Sequence, residues 1–291
     1  MTRSTGNGPG GPRGALDRFF GRPSTGRAVL LILGYLGYYL LVGRLVDALF
    51  GDRIDRDDVL ATGASIVFGL VLPVAVGAVT LFGLTAALHW TGRVFGRRRL
   101  STRPWMWVGP ALVVVAIVAH TAAVDWSDWR PQQIASLALL GLCVGLAEEL
   151  ATRGLTVQML RGAGHRERYV MVVSALLFAL MHLVNLVSGM APSTVLVTVL
   201  YAFAYGVCMY LAMRVTGTLW TAIVLHALTD PTTILASGGV DEAVAAQNGL
   251  WPLVAAVATV GMFVFALVAV FLLRDDGDRP GVGSGREDFS Q

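Results

Sequence analysis

Eight long apolar segments leave this chain few ways to fold. A helix needs about 20 apolar residues to cross a bilayer, and backbone groups within the hydrocarbon must be satisfied inside the structure itself. The sequence therefore predicts an all-α, polytopic membrane protein with about eight transmembrane helices. The candidate segments are residues 27–50, 59–91, 104–124, 132–160, 168–188, 193–214, 217–235 and 249–273.

The composition agrees with a chain that mostly avoids water. Charged residues make up 14% of the chain, compared with about 25% in soluble domains. Cys143 and Cys208 both lie in apolar segments, which leaves no disulfide framework and no CxxC metal site. The net charge is +3, and the basic residues lie mostly in tails and loops. We therefore expect the lipid bilayer, and no nucleic acid, as a partner.

The distribution of charge predicts an orientation. Arginines concentrate in the N-terminal tail and in the second, fourth and sixth loops, whereas the first, third and seventh loops carry acidic residues. The positive-inside rule places the arginine-rich side in the cytoplasm, with both termini inside. An even number of spans requires this agreement of the termini.

The chain divides into one transmembrane domain and two tails. Residues 1–26 are rich in Gly, Pro, Ser and Arg, and residues 274–291 are polar and Gly-rich, so we expect both to be disordered cytoplasmic tails. Residues 27–273 form the transmembrane domain. We see no internal repeat and no second, soluble domain in the sequence.

Ionisable residues inside the spans are the candidates for function, because a charge deep in a bilayer costs at least about 2.5–3.5 kcal/mol. At about 1.5 Å per helical residue, Glu148, His182, His226 and Asp230 lie roughly 14–20 Å from the cytoplasmic ends of their helices. This common depth predicts a shared polar cavity. The residues are Glu148, Glu149 and Arg153 in the fourth span, His182 in the fifth, and His226 and Asp230 in the seventh.

Helical spacing groups some of these side chains. His226 and Asp230 are four residues apart and share a helix face, as do Glu149 and Arg153, which can form an ion pair. Glu148 is rotated about 100° from Glu149, so the two carboxylates have different neighbours.

Structural roles are the alternative for each group taken alone. Glu149 with Arg153 could be a structural pair, and His182 could be a hydrogen-bonding residue between helices. His226 and Asp230 could be a structural pair or part of a proton path. Together, at one depth, the groups favour a catalytic site. We expect no catalytic role for His89, His120 or His165, which lie near span ends or in a loop.

Three motifs occur in order along the chain: EExxxR at residues 148–153, FxxxH at 178–182 and HxxxD at 226–230. In this order, on polar-bearing spans, they resemble the CAAX-protease-like family (CPBP or Abi, including lysostaphin-resistance-A-like proteins) of intramembrane proteases. The family includes the endoprotease that trims prenylated CAAX proteins. The resemblance implies an intramembrane endopeptidase whose catalytic core covers about residues 132–235.

The resemblance also implies roles for the residues. Glu148 would activate the attacking water, and His182 would position or polarise it. His226 and Asp230 would stabilise the oxyanion, and Glu149 and Arg153 would shape the site. The family often has Asn at the position of Asp230, and an ionised carboxylate would repel an oxyanion. We therefore expect Asp230 to act by orienting His226.

The chemistry is coherent without the family name, because peptide hydrolysis needs a base for water and donors for the oxyanion. No cofactor is required by this scheme. The alternative is a zinc ion held by Glu148, His182 and His226. No HExxH motif is present, so these ligands would have to come from three helices.

The expected substrate is a membrane-associated protein or peptide, CAAX-like or lipidated. The composition favours an integral protein of a bacterial cytoplasmic membrane. The rival function is a non-proteolytic membrane protein, such as a transporter, a scaffold or a bacteriocin-immunity protein, that retains the polar cavity. Transporters usually show repeated halves, which this sequence lacks.

Overall fold

The fold was analysed in a computed structural model, which describes residues 12–98, 100–240 and 249–273. All regular elements in these ranges are helices, and short 3₁₀ turns connect some of them. Two helices contain π-helical stretches, at Val67–Val71 and at Leu150–Thr156. The helices are α1 (Pro12–Phe20), α2 (Thr25–Phe50), α3 (Gly63–Ala87), α4 (Thr91–Phe95), α5 (Val108–Ala123), α6 (Pro131–Gly162), α7 (Glu167–Met181), α8 (Pro192–Thr216), α9 (Leu219–Ser237) and α10 (Leu250–Leu272).

The predicted all-α membrane architecture is confirmed. Within the described ranges, eight helical segments are long and apolar enough to cross a membrane, and each corresponds to one predicted segment. The second predicted segment, 59–91, is longer than its helix α3. Thr62 caps the start of α3, since its Oγ1 accepts a hydrogen bond from the Ser65 N–H at 3.1 Å. Beyond the other end, His89 has a φ of 55°, which ends the helical path.

The N-terminal region differs from the predicted tail. Helix α1 and the start of α2 fall within residues 1–26, which the composition predicts to be disordered. The buried ring of Phe20 packs edge-on against Trp90, with centroids 5.6 Å apart. Arg27 reinforces this fold-back by donating to the Phe19 carbonyl at 2.8 Å. The contact of Phe20 with Trp90, outside the segment, is a feature that the polar composition does not indicate. Residues 1–11 and 274–291 lie outside the described residues.

Helices α6 to α9 form the centre of the bundle. Helix α6 packs against α9 and α3, helix α8 packs against α7 and α10, and α9 also contacts α5. Buried residues make up 50%, 44% and 56% of the apolar windows of α6, α7 and α9, which carry the polar motifs, compared with 22% for α2. The polar motifs therefore lie on helices that are better shielded by protein than α2.

The loops with basic residues lie at one end of the bundle and those with acidic residues at the other, as the charge pattern predicts. At the basic end, the Arg98 side chain donates to Gln158 Oε1 at 2.9 Å, and Arg161 bonds to Glu167. At the other end, Trp129 donates to the Leu235 carbonyl at 3.1 Å. The cytoplasmic location of the basic end stays a prediction.

The contact between α6 and α9 depends on two glycines. A Cβ at Gly141 would lie 2.4 Å from the Ala227 carbonyl oxygen and from the ring of Pro231, and one at Gly145 would lie 2.8 Å from the Ile223 carbonyl. Pro231 lacks the N–H that would bond to Ala227, four residues earlier. The Pro231 ring and the unbonded Ala227 carbonyl occupy the space that a side chain at position 141 would fill. Small residues permit such close backbone contact between membrane helices.

We predict that Gly141→Ala destabilises the protein by about 1–3 kcal/mol, the usual cost of overpacking, because the methyl group must push α9 away. Thermal unfolding in detergent measures the loss. Gly37→Ala is the matched control, since no atom lies within 4 Å of its Cβ position in α2. Equal unfolding temperatures for the two variants would contradict the close contact.

Candidate active site

The EExxxR motif lies where α6 changes its winding. Glu149 ends the α-helical part, and Leu150–Thr156 continue as a π-helix, whereas the sequence predicts one uninterrupted α-helix. The wider turn still allows Arg153 to reach Glu149, with Nη1 3.0 Å from Oε1. Thr152 donates its hydroxyl to the Glu148 carbonyl at 2.6 Å. Single π-helical turns within α-helices are often found at functional sites.

Arg153 is buried and connects three helices. Besides Glu149 on its own helix, Nη2 donates to the Gly206 carbonyl on α8 at 3.1 Å. Its guanidinium lies 4.3 Å from the centroid of the Phe178 ring on α7. A Cβ at Gly206 would approach Nη2 to 3.0 Å, so glycine leaves room for the guanidinium. The contacts hold α6, α7 and α8 around one charge.

Glu149 also orients the imidazole of His226. Its Oε1, which binds Arg153, also accepts a hydrogen bond from His226 Nδ1 at 2.9 Å, and the Glu149 side chain is fully buried. The other imidazole nitrogen, Nε2, lies 3.8 Å from Glu148 Oε2 and 3.5 Å from Asp230 Oδ2. The side chains of Glu148 and Asp230 are 24% and 30% exposed. The imidazole thus separates a buried carboxylate from two accessible ones.

His182 is linked to the other candidate residues by the ring of Phe178, which contacts both imidazoles. It follows the last residue of α7, and its Nδ1 lies 3.1 Å from the Phe178 carbonyl. The Phe178 ring makes edge contacts with both imidazoles, with centroids 5.2 Å from His182 and 5.8 Å from His226. With Nδ1 bonded to the backbone, Nε2 of His182 is the nitrogen left for substrate or water.

The structure brings the six sequence-predicted residues into one region. Three of them, Glu148, Glu149 and Asp230, each have a carboxylate oxygen within 3.8 Å of the imidazole of a fourth, His226. Arg153 joins through Glu149, and His182 through Phe178. The Glu149–Arg153 pair forms as the spacing predicts, but the orienting bond on His226 Nδ1 comes from Glu149. Asp230, to which the sequence analysis gives that role, lies on the Nε2 side.

Helix α8 contributes residues that the motifs do not include. The Tyr205 ring packs edge-on against His226 at 5.3 Å, and its hydroxyl donates to Thr229 Oγ1 at 3.2 Å. Tyr201 stacks on Tyr205 at 5.8 Å. In the sequence, two tyrosines four residues apart in an apolar span indicate that this helix contributes polar groups to the site.

The residues of the alternative zinc site do not form a preformed metal cluster. In the described part of the chain, no group of three or more His, Cys, Asp or Glu side chains is arranged to hold a metal ion. Nδ1 of His226 is bonded to Glu149, which leaves Nε2 as the nitrogen that a metal would bind, and Glu148 Oε2 lies 3.8 Å from it. The zinc alternative on Glu148, His182 and His226 therefore stays open, and the effect of a chelator tests it.

We predict that Arg153→Met strongly destabilises the protein, by about 3–5 kcal/mol, because it leaves the Glu149 carboxylate buried without its cation. The double variant Glu149→Gln/Arg153→Met removes both charges and is expected to recover part of this loss. Unfolding temperature and yield in detergent compare the variants. A double variant less stable than the single one would show that the ion pair is not what Arg153 supplies.

The comparison with known families agrees with this geometry. Residues 130–232 match a family described as Rce1-like, type II CAAX prenyl endopeptidase Rce1-like. No curated protein and no solved structure matches the chain significantly. The matched range includes all six candidate site residues. The resemblance inferred from the three motifs is therefore confirmed, and over residues 130–232 this chain matches the Rce1-like family of type II CAAX prenyl endopeptidases.

Proposed function

We propose that this protein is an intramembrane endopeptidase that hydrolyses a peptide bond by means of a water molecule activated by Glu148. The observation that carries the proposal is the unequal environment of two adjacent carboxylates. Glu149 is fully buried and bonded to Arg153 and His226, whereas Glu148 is 24% exposed on the open side of the same imidazole. The family match supports a protease in general.

Glu148 carries out the first step, the deprotonation of the attacking water. A general base must lie within hydrogen-bond reach of the water whose proton it takes. Glu149 is unsuited to this, since its side chain is fully buried and its Oε1 already accepts two hydrogen bonds inside the protein. Glu148 takes the proton, and the resulting hydroxide attacks the carbonyl carbon of the scissile bond. The proton then passes to the leaving amine when the C–N bond breaks.

The two histidines supply the charge stabilisation. The developing oxyanion needs N–H donors directed at it from a preorganised site. His226 is held in place by Glu149 at Nδ1, and simultaneous donation from Nε2 requires the doubly protonated imidazole. Nε2 of His182 is the second donor, because its Nδ1 is bonded to the backbone. Glu149 and Arg153 act as positioning residues.

The substrate is proposed to be a membrane-associated protein or peptide, because the site lies within membrane-spanning helices. A CAAX-like or lipidated chain fits this requirement. We propose a bacterial cytoplasmic membrane as the location, with the basic end in the cytoplasm.

We predict that Glu148→Gln lowers peptide hydrolysis by about 10²–10⁴-fold, the usual contribution of a general base, with stability changed by less than about 0.5 kcal/mol. The purified variant and wild type in liposomes are tested on quenched fluorescent peptides, including a lipidated CAAX peptide, with and without a zinc chelator.

Loss of cleavage in the variant and indifference to chelator support Glu148 as the base. Loss of wild-type activity on chelation, with recovery on added zinc, would replace this mechanism with the metal site. Wild-type protein that cleaves no peptide in the panel would favour the non-proteolytic alternative, a transporter, scaffold or immunity protein that uses the cavity.

We predict that Asp230→Asn loses at most about tenfold in activity, little beside the contribution of a general base. The amide keeps the size of Asp230 and can donate to an oxyanion, while Glu149 continues to orient His226. The same peptide assay measures the effect. Complete loss of activity would show that the carboxylate itself is required.

A further inference from the structure

A cavity lies at the basic end of the bundle, apart from the candidate active site. It has a volume of about 470 Å³ and forms between the turn that joins α1 to α2, the segment around α4 and the end of α6. Ligand sites usually enclose about 300–1,000 Å³. Its polar wall contains Arg93, Arg98, Gln158 and Arg161, and its apolar wall contains Phe20 and Trp90. None of the six active-site candidates lines it.

The arginines of this cavity carry more positive charge than nearby carboxylates neutralise. Glu167 is the neighbouring carboxylate, and both its oxygens are engaged. Arg161 binds it through two nitrogens, at 2.7 and 2.9 Å. Arg214 adds a third contact at 2.8 Å. One negative charge is thus shared by two buried guanidinium groups.

Arg93 and Arg98 add two further charges, and among the described residues neither side chain forms an ion pair with a carboxylate. The Arg98 side chain donates to the amide oxygen of Gln158 at 2.9 Å. Burial, and then the charges of Arg161 and Arg93, lower the pKa of Arg98 below its usual value, against the raising effect of Glu167. Arg93, Arg98 and Arg161 thus line the same cavity, where Arg93 is exposed and Arg98 is half-buried.

The backbone holds these charges in position. The Arg98 N–H donates to the Gly217 carbonyl at 2.8 Å, and Gln158 Nε2 donates to the Arg93 carbonyl at 3.2 Å. Gly217 has a φ of 72°, and a Cβ there would lie 2.3 Å from the Arg98 carbonyl oxygen. Positive charges that the fold holds close together repel one another, and a bound anion relieves that repulsion.

We propose that this cavity binds a phosphate group, carried by the headgroup of an anionic phospholipid or present as free phosphate. Guanidinium groups match phosphate oxygens in geometry and charge. Basic pockets between membrane helices bind such headgroups, and tryptophan is common at the membrane interface. The apolar wall of Phe20 and Trp90 suits the glycerol and acyl part of a lipid. The proposal does not depend on proteolysis.

The test uses full-length protein in a nonionic detergent, titrated with short-chain phosphatidylglycerol or with sodium phosphate at constant ionic strength. Diacylglycerol is the phosphate-free probe, and native mass spectrometry with thermal unfolding gives the readout. Arg93→Gln/Arg98→Gln is expected to bind about 30-fold more weakly, about fivefold for each arginine. Arg97→Gln/Arg44→Gln removes the same charge from exposed positions outside the cavity and is expected to bind like wild type.

Saturable binding of phosphatidylglycerol alone, lost only in the cavity variant, would identify a lipid headgroup as the ligand. Binding of sodium phosphate with the same dependence on Arg93 and Arg98 would identify free phosphate as sufficient. Equal weakening in both double variants would overturn the site, since net charge alone would then explain binding. Absence of saturable binding by wild type, or equal binding of diacylglycerol, would overturn it as well.

Discussion

A buried ion pair between Glu149 and Arg153 organises the centre of this protein. Removing two charges from water costs several kcal/mol for each, and only close geometry with further hydrogen bonds offsets that cost. Arg153 therefore needs the Gly206 carbonyl and the Phe178 ring, and Glu149 needs His226. Each requirement fixes a different helix, so that one charge pair specifies how α6, α7, α8 and α9 meet. The accessible carboxylates are oriented by this buried framework.

Apolar side chains alone could not have brought these helices together in a bilayer, because lipid tails are as apolar as leucine. Close packing and polar contacts must do so. The glycines of α6 meet the backbone of α9 around Pro231, one turn from the polar cluster. The same backbone contact that permits packing also sets the distance between Glu148 and His226. In this bundle, stability and site geometry depend on the same helix pair.

The sequence predicts the fold well because the span signal is strong, with about 20 apolar residues for each helix. The site residues are predictable since charge is costly in hydrocarbon. Their partners on α8 are not, since Tyr205 and Gly206 look like ordinary residues of an apolar span. The π-helical stretch has no pattern in the sequence. Glu167 is adjacent to a loop, yet it is buried between Arg161 and Arg214, which only the packed structure reveals.

The part of α6 just before Glu148 cannot change in length as a loop can. Hydrogen bonds in Leu150–Thr156 span one residue more than in an α-helix, so this stretch could lose one residue without turning the helix beyond it. A deletion between Gly145 and Glu148 has no such reserve and would rotate everything beyond it by about 100°. Gly141 and Gly145 would still pack against α9, but Glu148 and Glu149 would no longer face His226. A frame-preserving deletion of one codon there would therefore separate the packing of α6 from the geometry of its carboxylates.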